Sequence, residues 1–218
     1  MSIRVSRRNF LKSGALIGAG AVAAASTLAF ADDTGKLGLT QLDIPVQRLP
    51  RSFYNYKIFF MSDLHLANCV PQEWVTAAIA QALECKPDLV LLGGDFIWIP
   101  DRPISAATLT LKSGRLCGVE GSAQAYQLYK QMGELLRRLT PPDGTYSILG
   151  NHDNWVARNA CLEQLTRARV RFLINHHTYI TRGADRLVIY GSDDYLTGIP
   201  RDPRFPLREQ GNEVRVVL

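Results

Sequence analysis

The chain has 218 residues, 46% of them hydrophobic and 21% charged, the proportions of one globular domain able to bury a sizeable core. Its formal net charge of +5 is concentrated at the start: the first 31 residues hold Arg4, Arg7, Arg8 and Lys12 and no acid, which leaves 21 basic against 20 acidic residues in the rest. No basic body is present, so no nucleic-acid partner is indicated.

Residues 1–31 read as a leader. Arg7-Arg8-Asn9-Phe10-Leu11-Lys12 precedes an Ala- and Gly-rich apolar stretch from Gly14 to Leu28, and Ala29-Phe30-Ala31 supplies the small residues of a cleavage site before Asp32. Adjacent arginines followed by Phe-Leu-Lys resemble a twin-arginine signal, which implies the twin-arginine export machinery as a partner. It also implies a periplasmic location, or one on the outer face of the cytoplasmic membrane. Residues 32–50 form a polar linker holding one short apolar element, Leu39 to Val46, expected as an edge strand. Residues 51–218 form the domain. Cys69, Cys85, Cys117 and Cys161 show no paired spacing, and no disulfide is expected.

Tyr56 to Ser62 is expected as a buried strand, followed by the turn Asp63-Leu64-His65. Trp74, Val75, Ala78, Ile79, Ala82 and Leu83 fall at helical spacing, with Pro71 at the start and Pro87 beyond the end. Asp88 to Gly93 is the next strand, and strand, helix, strand in this register predicts a parallel sheet. From Ile97 to Ala123 the pattern dissolves into an inserted loop or lid. Leu128 to Leu139 marks a helix, Thr145 to Leu149 a strand, and Asn154 to Ala168 a helix with Asp153 as its N-cap. Strands are expected near Arg171 to Ile174, Thr178 to Thr181, Leu187 to Tyr190 and Glu213 to Leu218.

Three polar clusters stand where apolar runs end: Asp63-Leu64-His65, Gly93-Gly94-Asp95 and Gly150-Asn151-His152-Asp153. In α/β folds, binding sites form at the carboxyl ends of strands. Carboxylate and imidazole are natural ligands for borderline divalent ions. Two glycines before Asp95 leave room for close backbone approach and for a carboxylate that bridges two ions. Asn151 offers a neutral carbonyl, and His152 a proton donor or electrophile. Each cluster alone reads more often as a polar cap or turn than as a site. Trp98 and Trp155 flank these clusters as pocket walls or core, Asp193-Asp194 reads as a turn, and His176 and His177 read as ordinary strand or loop residues. Arg201, Arg204 and Arg208 are expected on a solvated loop.

In this order, the clusters resemble the DxH, GD and GNH(D/E) motifs of the calcineurin-like metallophosphoesterase superfamily. Lys86-Pro87-Asp88-Leu89-Val90 and Gly191-Ser192-Asp193-Asp194 are similar to its exported bacterial branch, which includes phosphodiesterases and UDP-diacylglucosamine pyrophosphatases. The resemblance implies a four-layer α-β-β-α sandwich of two mixed sheets and two divalent metal ions (Mn, Fe or Zn). It implies Asp63 and His65 on the first metal, Asp95 bridging, Asn151 on the second, and His152 as the catalytic residue at the scissile phosphate. Activated water would then attack phosphorus in line, between two clamping metals. The implied substrate is a phosphodiester or pyrophosphate, with lipid-linked esters and peripheral membrane contact attractive on grounds of address. A broad phosphomonoesterase or nucleotidase of the same fold, and a non-catalytic binding module, are the alternatives. The family's later His and GHxH ligands have no counterpart here. Since they would follow the last strand, the expectation is a fold missing its C-terminal part.

Overall fold

The computed structural model describes residues 37–67, 70–99, 110–112, 115–117, 123–203 and 213–218. Contacts divide the chain at Gly38, and all that follows concerns the unit from Leu39 to Leu218. The expected leader lies outside the described residues. Among the latter, no helix is long and apolar enough to cross a membrane.

In chain order the elements are β1 (Ile58–Met61), β2 (Leu66–Ala67), α1 (Gln72–Cys85), β3 (Leu89–Leu92), β4 (Ile97–Trp98), β5 (Thr110–Lys112), β6 (Arg115–Cys117), α2 (Ala123–Leu136) and β7 (Thr145–Ser147). Then come α3 (Asn151–Arg167), β8 (Val170–Phe172), β9 (His176–Arg182), β10 (Asp185–Gly191) and β11 (Glu213–Val217). One sheet has the order β1-β3-β7-β8 with every pairing parallel, as the β1-α1-β3 crossover requires. The second has the order β11-β10-β9, with β10 parallel to β11 and antiparallel to β9.

β3 sorts its side chains to two cores. Val90 and Leu92 face a cluster built from all three helices, with Ile79, Met132 and Leu165 fully buried. Leu89 and Leu91 face Tyr146, Ile180, Leu187 and Ile189, which joins the two sheets face to face. The expected α/β arrangement of two packed sheets with helices outside is therefore present. Among the described residues it shows three layers, helices over the parallel sheet over the mixed sheet.

Three local expectations need correction. Leu39 to Val46 forms no strand: the segment is exposed and no described strand pairs with it. The Ile97 to Ala123 loop holds β4, which pairs with β2, and the β5-β6 hairpin, although 100–109, 113–114 and 118–122 lie outside the described residues. The helix expected from Asn154 opens at Asn151, with a non-helical break at Ala157. Its N-cap is Gly150 rather than Asp153, because the Asp153 carboxylate reaches back from the third helical position to the Gly150 amide at 3.0 Å.

Candidate metal centre

The loops following β1 and β3 are stitched together by main-chain hydrogen bonds. Asp63 N donates to Gly94 O at 3.1 Å, His65 N to Asp95 O at 3.0 Å and Leu66 N to Phe96 O at 2.9 Å. The loop after β7 meets the same point. A Cβ on Gly94 would stand 2.2 Å from the Gly150 amide nitrogen, and one on Gly150 would stand 2.0 Å from Asp95 Oδ1. Three strand ends thus touch through backbone, and only glycine allows the approach.

This contact gathers the side chains. Ligand atoms of His65, Asp95 and His152 all lie within 4.8 Å of one another. Asp95 divides its carboxylate: Oδ1 accepts the His152 main-chain amide at 2.9 Å, and Oδ2 lies 3.6 Å from His65 Nε2. Asp63 sits further out, its Oδ1 4.0 Å from the same nitrogen and its side chain well exposed, and it accepts a hydrogen bond from Ser62 Oγ at 2.5 Å. Asn151 occupies the first position of α3, one residue before His152. The sequence assigns His152 a catalytic role rather than a metal, and its ring stands beside His65 and Asp95, two of the residues expected as ligands.

Asp63, His65 and Asp95 all adopt positive φ, at 56°, 41° and 55°. Non-glycine residues rarely do so, although Asp and His tolerate it better than most. Such conformations cost about 1–3 kcal/mol each and cluster at functional sites.

Beneath the cluster, Asp153 is fully buried and is the residue that sequence reasoning underrated. Besides the Gly150 amide, it accepts the amides of Asp95 at 2.8 Å and Phe96 at 3.1 Å, and the Tyr129 hydroxyl at 3.0 Å. Burial pushes its carboxyl up to about 7, while the amides of Gly150, Phe96 and Asp95 pull it back down. Burial likewise pushes the Tyr129 phenol far up, so the hydroxyl remains a donor. The sequence signal was the acid three residues after the N-cap, but its partners 57 and 58 residues earlier carry no local pattern.

Aromatic rings wall the cluster. Trp98 lies 4.1 Å from the His152 ring and 5.3 Å from that of His65, and Trp155 lies 5.4 Å from His152. Burial lowers the His152 pKa below 6.5, opposed by Asp95 and reinforced by His65, so the imidazole is neutral at neutral pH. Asp193 and Asp194 order a turn: Asp194 Oδ1 accepts the amides of Leu196 at 3.0 Å and Thr197 at 2.6 Å. His176 and His177 lie on β9, where His177 Nε2 pairs with the Tyr179 hydroxyl at 2.9 Å.

His65 Nε2 decides whether this arrangement suits a cation. The atom is buried and has no hydrogen-bond partner. Asp95 Oδ2, 3.6 Å away, is too far for a direct hydrogen bond, yet the separation suits two atoms sharing one ion at about 2.0–2.2 Å from each. An orphaned nitrogen facing carboxylate oxygens is costly without a positive centre between them. The donor set fits a divalent metal.

The family model of calcineurin-like phosphoesterases matches residues 56–209. The chain belongs to that family. It is 29% identical to an uncharacterized metallophosphoesterase, YkuE, of Bacillus subtilis over 204 residues, covering 90% of this chain and 63% of the relative. It is also 29% identical to phosphodiesterase YaeI of Escherichia coli over 166 residues, covering 75% of this chain and 52% of the relative. The calcineurin-like chain thus spans between half and two thirds of these curated relatives. A crystal structure of TT1561 of Thermus thermophilus aligns with 73% of this chain and 56% of its own, at 13% identity and a TM-score of 0.42. Metallophosphoesterases use divalent metals, in keeping with the donor set around His65.

Proposed function

We propose that this metallophosphoesterase is an exported hydrolase of phosphodiester or pyrophosphate bonds that works with two divalent ions. The observation that carries the reading is the buried, unpartnered His65 Nε2 facing Asp95 Oδ2 at a junction of three strand ends. The phosphodiesterase name of one relative favours a diester over a monoester. Export follows from the Arg7-Arg8 leader.

In this reading Asp63, His65 and Asp95 would hold one ion, and Asp95 and Asn151 the other. When bound, the ions supply Lewis acidity toward phosphoryl oxygens and acidify an attacking water. The protein's own part is positional. Asp153 fixes the main chain of Asp95, and Asp95 Oδ1 in turn fixes the amide of His152. That leaves the neutral His152 imidazole poised to donate its N–H to a phosphoryl or leaving oxygen. Trp98 and Trp155 beside it exclude water and offer faces to the rest of the ester.

The test is metal content by mass spectrometry together with turnover of bis-p-nitrophenyl phosphate and of the monoester. Two equivalents of metal and preference for the diester support the reading. Preference for the monoester favours the nucleotidase alternative, and metal binding without turnover of either favours a binding module.

A further inference from the structure

β2 and β4 run side by side as a parallel ribbon, with Leu66 opposite Ile97 and Ala67 opposite Trp98. Both strands leave the metal centre together: His65 directly precedes β2, and Asp95 lies two residues before β4. Ile97, fully buried, anchors the ribbon in the core. Trp98 is thus carried by the same backbone that carries two of the expected ligands. Its indole lies 4.1 Å from the His152 ring, tilted by 44°, and 5.3 Å from the His65 ring, edge to face at 74°. The two imidazoles stand 5.1 Å apart at 81°, so three rings close a triangle.

The main chain and the side chain of His152 are held by different means. Asp95 Oδ1 fixes its amide at 2.9 Å, but among the described residues no hydrogen bond and no ion pair reaches the imidazole. The χ2 torsion of histidine is broad, so such a ring takes its direction from what it packs against. Trp155 lies three residues further along α3, edge-on at 5.4 Å and 80°, and moves with the helix that bears His152. His65 faces Asp95 Oδ2 at 3.6 Å. Trp98 is the nearest ring of the three and comes from a separate element. Contacts between rings set orientation as well as adding attraction.

We propose that Trp98 is a positioning residue that holds the His152 imidazole against the His65–Asp95 cluster, in place of the hydrogen bond that this imidazole lacks. The role rests on the phosphoesterase reading above, in which His152 is the N–H donor, but the first arm of its test needs no turnover.

Trp98→Leu and Trp98→Phe are compared with wild type in the full chain, with Trp74→Phe, at an exposed position of α1, as the control. Thermal melts establish folding, and Trp98→Met replaces Trp98→Leu if the latter fails to fold. In metal-free protein, 13C relaxation of the His152 ring should show a rigid side chain in wild type, Trp98→Phe and the control, and loss of order in Trp98→Leu. Equal ring order in wild type and Trp98→Leu overturns the proposal. With metal and bis-p-nitrophenyl phosphate, kcat should fall about tenfold in Trp98→Leu at nearly unchanged KM, and Trp98→Phe should restore most of it. In a His152→Ala background the same substitution should cost nothing further, because the ring it acts through is already gone. A loss that persists there, or a rise in KM without a fall in kcat, leaves Trp98 as a wall alone and overturns the proposal. Loss of the metal-induced rise in melting temperature in Trp98→Leu also overturns it, because Trp98 would then act on His65. No turnover by any form, with ring order lost in Trp98→Leu, overturns the enzymatic reading and leaves the positioning role standing.

Discussion

The carboxylate of Asp153 grips the main chain of Asp95: Oδ2 accepts the Asp95 amide at 2.8 Å from a helix 58 residues later in sequence. Asp153 touches neither metal nor substrate in the proposed chemistry, so it is a positioning residue. Asp153→Asn turns one acceptor into a donor facing the amides of Gly150, Asp95 and Phe96 and the Tyr129 hydroxyl. The expected cost is on the order of 2–3 kcal/mol in urea unfolding, accompanied by weaker metal binding. Tyr129→Phe removes one neutral donor and should cost about 1 kcal/mol, with metal affinity nearly unchanged.

Metal addition should stabilise the chain, because the folded state alone gathers the ligands. At free metal about 100-fold above its dissociation constant, the gain is about 2.7 kcal/mol, seen as a higher melting temperature and reversed by chelation. His65→Ala should abolish the shift, since it removes a buried imidazole nitrogen that has no partner among the described residues. Retention of the full shift in that variant would contradict the assignment.

Gly94 has φ of +87°, and its missing Cβ is the space the Gly150 amide fills. Gly94→Ala therefore combines left-handed strain with a backbone clash, at an expected cost on the order of 3 kcal/mol in urea unfolding.

The His152 imidazole binds its proton less tightly folded than unfolded, because burial outweighs the pull of Asp95. The linked stability is thus fully present above pH 6.5, the unfolded value, and is lost as pH falls through the lower folded one. An NMR titration of the metal-free chain should place the His152 midpoint below 6.5. His152→Gln should remove that part of the acid dependence of unfolding.

The strand ends were legible because apolar runs of strand length stop abruptly at small and oxygen-bearing residues. α1 was legible because Val75, Ile79 and Ala82 share one face, which the structure buries. The start of α3 was not, because its first turn holds Asn151, His152 and Asp153, residues whose placement answers to distant loops rather than to helix propensity. The apolar element from Leu39 to Val46 misled, since apolar residues make a strand only where a neighbour supplies hydrogen bonds. The convergence of His65, Asp95 and His152 was expected from motif order, whereas the buried tie beneath them, spanning the chain, leaves no periodic trace.

The backbone junction at Gly94 and Gly150 ties cation uptake to completion of the parallel sheet. Until β1, β3 and β7 lie side by side, Asp95 stands apart from both imidazoles, so a half-folded intermediate has little means of capturing an ion. Metal loading in this family member is in effect a proofreading signal for tertiary structure. Under the proposed export of the folded chain, the compartment where the sheet closes would govern which ion is first on offer.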